Sequence, residues 1–252
     1  MPDLILMNAK RIFTFGMLTL AHSASLSELA EGALVMDQIG EVGAYDFGAR
    51  ASPSSSQVFT DLVGFECMAI DDFTVDAAAL KITEVSALVW ARNGFASFQE
   101  VVGYQLSIFS SSAMAAATLT GDAGSLLVVD GSGASVTPVG GNHGLVSLRV
   151  DLTLLAAGTY WVGIAPVAAD YLAGQFYVQN SGARGTRTPG NGNGAFANPK
   201  EGFEIGALTN TTLDYAYAVT VVPEPATAML WLLGTCVWLG RRRRARLADE
   251  NW

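Results

Sequence analysis

Val146-Ser147-Leu148-Arg149-Val150-Asp151-Leu152 alternates aliphatic with polar residues at every step. Successive side chains of a strand point to opposite faces, so the stretch lays four aliphatic groups on one face and Ser147, Arg149 and Asp151 on the other. The same period of two follows after Ala157-Gly158, where Tyr160, Val162 and Ile164 alternate with Trp161 and Gly163. It recurs at Tyr104, Leu106 and Ile108, and at Tyr215, Tyr217, Val219 and Val221. A half-buried strand has this signature and a helix does not. Shorter apolar runs add strands near Val58–Leu62, Ala69–Val75, Ile82–Ala91, Leu126–Asp130 and Gln175–Asn180. Asn93-Gly94, Gly121-Asp122, Asp130-Gly131, Gly140-Gly141-Asn142 and Ala157-Gly158 supply turn chemistry between them. The expected fold is all-β, a jelly-roll-like antiparallel sandwich over residues 26–221. Ser110–Thr118 is the best helix candidate, and the glycine-rich Ser181–Pro199 reads as a long exposed loop.

Working outward, both ends differ from this middle. Lys10 and Arg11 precede an apolar stretch, Ile12–Leu20, and then Ala21-His22-Ser23. That order is an export signal, assigned to residues 1–24. Asp3 is unusual ahead of such a signal, so the start is either Met1 or Met7. Residues 226–240 carry no charge and are followed by Arg241, Arg242, Arg243, Arg244 and Arg246. As a helix this run extends about 22 Å, short against a hydrocarbon core of about 30 Å. It is nevertheless read as a transmembrane helix, with the arginines as a stop held on the cytoplasmic side and the chain before it outside.

Composition narrows the function classes. The chain of 252 residues has 14 Lys+Arg, 23 Asp+Glu and 2 Cys, and half of it is apolar. Seven of the basic and three of the acidic residues belong to the two ends. Residues 26–225 thus hold seven against twenty, a formal charge of −13. An acidic domain of this kind excludes a nucleic-acid surface. Two cysteines exclude a disulfide framework and a four-Cys zinc site.

Catalytic chemistry finds little support. His143 stands alone outside the signal, in a turn-like run, and reads as a solvated loop histidine. No G-x-S-x-G elbow exists. Cys67 reads as a buried inert thiol. Glu66, Glu84, Glu100, Glu201 and Glu204 do not single out a hydrolytic pair. The domain is therefore expected to be non-enzymatic. Asp71 and Asp72 are the candidate calcium ligands, since adjacent carboxylates at a strand entry repel one another and a hard cation relieves that repulsion. Trp90, Phe95, Phe98, Trp161, Tyr171 and Tyr177 are the candidate sugar platform.

Val222-Pro223-Glu224-Pro225, the short apolar run and the arginine cluster, in this order and together with an export signal, resemble the PEP-CTERM sorting domain of Gram-negative bacteria. The resemblance covers residues 222–246. It implies processing near Pro223, Glu224 and Pro225 by an exosortase, a membrane-embedded enzyme, in an organism that makes extracellular polysaccharide. It implies passage through the inner membrane and a destination at the cell surface or beyond. The alternative reading of the domain itself is a calcium-assisted carbohydrate-binding module for exopolysaccharide. Ala69–Val75, Ile82–Val85 and Ala157–Val162 also resemble jelly-roll-like ectodomains that accompany this signal.

Overall fold

A computed structural model describes residues 32–223 apart from 41–53, 63, 77–79, 95–97, 130–131, 155, 182–190 and 203–205, together with Thr235 and Trp238. The chain divides into residues 1–33 and 34–252, and the architecture below is that of the second unit. The assigned export signal, residues 1–24, lies outside the described residues.

Among the described residues fourteen strands follow in order: β1 (Ala33–Asp37), β2 (Ser54–Ser55), β3 (Val58–Phe59), β4 (Met68–Val75), β5 (Leu80–Arg92), β6 (Val101–Phe109) and β7 (Gly124–Val128). Then come β8 (Ala134–Gly140), β9 (His143–Leu154), β10 (Gly158–Ala168), β11 (Gln175–Val178), β12 (Ala195–Ala197), β13 (Leu208–Asn210) and β14 (Tyr217–Pro223). They form two sheets of seven, largely antiparallel, with β3 running parallel to β10. One sheet contains the row β1-β14-β5-β9, with β8 beyond β9 and with β11 and β2 continuing from β5. The other runs β13-β12-β4-β10-β6-β7. The long strands pair in a nested order: β1 with β14, β4 with β10, β5 with β9 and β6 with β7.

The two sheets share one core. Val85, Ala87, Val89, Val146, Leu148, Val219 and Val221 of the first meet Ala69, Phe73, Leu106, Ile108, Val162 and Ile164 of the second, all buried. Area removed from water drives this, at about 25 cal/mol per Å² of apolar surface. Thr83 is an extra residue in β5 relative to β14, where Thr220 pairs Glu84 but Val221 pairs Ile82. The shift flips the phase of β5, so Ile82 and Val85 both face the core.

Two hydroxyls close a gap in the second sheet. The β4–β10 ladder ends at Ile70 and Gly163. One residue further, the amide of Ala69 donates to Ser56 Oγ (3.3 Å), which donates to the carbonyl of Ile164 (2.6 Å). Reciprocally, the amide of Ile164 donates to Tyr217 Oη (3.2 Å), which donates to the carbonyl of Ala69 (2.7 Å). Tyr217 reaches from β14 across the core, so it ties the sheets together while satisfying polar groups that water cannot reach.

Two local expectations are corrected. The helix expected at Ser110–Thr118 is a single turn, Ser112–Ala115. The Ser181–Pro199 segment, read as a long loop, contains β12, which is buried and inserted between β4 and β13. Ala195-Phe196-Ala197 is too short to show a period, and its small residues fit where Met68 and Ile70 press from β4.

Candidate functional site

The acidic pair lies within β4, not at its entry. Asp71 follows the phase of Ala69 and Phe73 and points between the sheets, fully buried. Asp72 follows Met68 and Ile70 to the outer face. Ile70 belongs to a second apolar cluster on that outer face with Phe109 and Trp161. Adjacent strand residues diverge, so the Asp71 and Asp72 side chains point to opposite faces of β4. Among the described residues no group of three His, Cys, Asp or Glu is arranged to hold a metal.

Each aspartate has found a polar partner instead. Asp71 accepts from the amides of Asp72 (2.8 Å) and Tyr215. Burial pushes its carboxyl up to about 8, further raised by the charges of Asp214 and Asp72 and opposed by these amide donors. It is therefore mostly protonated at neutral pH. Asp72 accepts from Asn191 Nδ2 at 3.1 and 3.2 Å. Asp214 accepts from the amide of Gly192 at 2.6 Å. The Asn191–Gly194 segment is thus laced onto β4 and onto the approach to β14. A Cβ at Gly194 would meet the Leu213 carbonyl at 2.5 Å and the Tyr215 ring at 2.9 Å, so only glycine fits. Asp214 and Asn191 escaped the sequence reading, because nothing in their local context links them to residues more than a hundred positions away.

His143 is buried at the head of β9, which corrects the solvated-loop reading. Its Nδ1–H donates to the Gly140 carbonyl (3.1 Å), a group that can only accept. Nε2 therefore accepts from Gln179 Nε2 (2.9 Å) and the ring is neutral. Burial lowers its proton affinity below the ordinary value. Cys67 is free and buried, and burial raises its thiol far above the usual range, as an inert thiol requires. Glu66 is held by Lys200 (3.2 Å) and by the Gly64 amide (2.8 Å).

Of the six aromatics, the structure brings together Trp90 and Tyr177, which are cross-strand partners on the outer face of the first sheet. Trp90 also faces the His143 ring (centroids 5.6 Å apart, 6° between planes) and carries the Arg92 guanidinium 4.6 Å from its centroid. The row sets these rings beside a guanidinium and the amide of Gln175, which accepts from the Tyr177 hydroxyl. Trp161 sits on the other sheet, Phe98 packs against the core, and Phe95 lies outside the described residues.

The C-terminal residues complete the picture. Pro223 is the last residue of β14, paired with Leu80, two positions beyond the expected end of the domain. Glu224, Pro225 and the arginines at 241–244 and 246 lie outside the described residues. Of the expected transmembrane helix, 226–240, only Thr235 and Trp238 are described, both helical. Among the described residues no helix is long and apolar enough to cross a membrane.

Residues 221–244 match a family model described as the PEP-CTERM protein-sorting motif. No curated protein and no solved structure matches the chain.

Proposed function

We propose, from the premise that the chain carries a PEP-CTERM sorting motif, that it is a non-enzymatic surface or matrix protein whose β domain is delivered by exosortase processing. The motif makes this an exported, envelope-sorted protein and an exosortase its processing partner. In this reading residues 1–24 direct export and residues 226–240 hold the chain in the inner membrane. The arginines keep the tail on the cytoplasmic side, and cleavage near Pro223-Glu224-Pro225 releases the domain to the cell surface or the extracellular space. The observation that carries the reading is the position of the motif, which begins within the last strand of the domain and continues beyond its end. The nested strand order supports reading that domain as a jelly roll. No resident cofactor is needed for such a role.

Replacing Pro223, Glu224 and Pro225 together by alanine tests it. The expected result is a full-length precursor retained in the inner membrane. A product of unchanged size and location would refute the reading.

One observation favours exopolysaccharide binding as a second reading: Tyr177, Trp90, Arg92 and Gln175 form a mixed aromatic and polar row on an outer sheet face. A glycan screen of the exported protein, with and without EDTA, tests both this role and calcium assistance. Absence of binding in both conditions leaves the first reading alone.

A further inference from the structure

The sorting motif and the sandwich overlap. The motif begins at residue 221, whereas β14 runs to Pro223. Val221, Val222 and Pro223 therefore belong to both. They are not loose ends of the sheet: Val221 pairs with Ile82, Val222 with Lys81 and Pro223 with Leu80. Val221 is 2% exposed and packs in the main core, whereas Val222 is half-buried and Pro223 is exposed. In the sheet order β14 lies between β1 and β5, so it is an interior strand.

An enzyme that acts on a peptide segment needs that segment extended, with backbone groups free to pair. On the β5 side those groups are already committed. Any processing that recognises the start of the motif must then compete with β5 for the same residues.

Two features weaken the hold on these three residues relative to the rest of the strand. The register shift at Thr83 separates the Val221–Pro223 rungs from the ladder above them. Pro223 has no amide hydrogen to contribute. Above the shift the strand is pinned, because Tyr217 Oη holds Ala69 and Ile164 of the opposite sheet, and the preceding Tyr215 amide holds Asp71.

We propose that the last three residues of β14 are a brake on processing: the exosortase acts on the chain with Val221–Pro223 peeled from β5, so the folded sandwich sets the processing rate. This rests on the sorting reading above.

The test is a pulse–chase of the full chain in an exporting host that contains the processing enzyme, following precursor and mature product. In the principal variant, a second Val-Val-Pro followed by six Gly/Ser residues is inserted between Thr220 and Val221. The sheet keeps its rungs, and the motif at 221–244 stays contiguous but leaves the sandwich. Processing is expected to speed up about tenfold, the factor that 1.4 kcal/mol of removed pairing corresponds to. The milder Val221→Ala, which loosens the rungs without any insertion, is expected to speed it several-fold while the protein stays folded by circular dichroism. Equal or slower processing in both variants would overturn the brake and leave the sorting reading intact. If neither the native chain nor the variants were processed, the brake and the sorting reading would fall together.

Discussion

Tyr217 and Val221 lie four residues apart on one face of β14 and both are buried, yet the two halves of that strand answer to different demands. The upper half is tied across the core by a hydroxyl with two backbone partners. The lower half is held by one valine side chain and three rungs below a register shift, and it is also the opening of the sorting motif. The contrast teaches that a domain and its sorting motif need not be joined by a linker. They are able to share residues, and the packing of the shared residues then becomes part of the sorting chemistry.

The strongest handle on the pinned half is Asp71, whose acceptor bond from Tyr215 fixes the approach to β14. Unfolded, this carboxyl titrates near 3.8; folded, at about 8. Between those values the folded chain holds a proton that the unfolded chain lacks. Its contribution to stability is full below pH 4 and is lost as pH rises through 8, a change on the order of 5 kcal/mol at most. Denaturant melts of the exported domain from pH 4 to pH 9 are expected to show this decline, and Asp71→Asn is expected to flatten it. A wild-type profile without slope in that window would show that Asp71 is ionised in the folded state.

Tyr217→Phe comes next. It strands the Ala69 carbonyl and the Ile164 amide in the core, at about 1–3 kcal/mol for each buried group left unpaired. Loss of stability without change of fold, read by chemical denaturation, is the expected outcome. Val221→Ala in the shared half costs about 1–3 kcal/mol through a lost core contact. It separates the halves because it alone of these substitutions also accelerates processing. The smallest effect belongs to His143, at the head of β9. Burial lowers its proton affinity, so its contribution is present above pH 6.5 and is lost as pH falls through the folded value. The melting temperature of His143→Gln is expected to fall less than that of the native protein between pH 7 and 5.

Much of the sandwich was legible in the sequence. Period-two alternation located β6, β9, β10 and β14, and glycine pairs located turns such as Gly140-Gly141, where both residues adopt positive φ. The strand signal failed at β12, because three residues with two alanines carry no period, and at β8, where Pro138 and polar residues mask an edge strand. The acidic pair shows a different limit. Alternation requires Asp71 and Asp72 to diverge, but each phase of β4 has its own apolar residues, Ala69 and Phe73 against Met68 and Ile70. Local pattern does not tell which phase faces the other sheet; only the packing of β10 and β14 against β4 decides that. The sorting motif was legible for the opposite reason. Its parts are contiguous and need no tertiary context, although their overlap with β14 emerges only from the register with β5.

The most direct test of the account is the intact mass of the exported protein recovered from a host that carries the processing enzyme. The account predicts a chain that has lost the apolar run and the arginines, ending close to Glu224. A mass that includes every residue through Trp252 would contradict it.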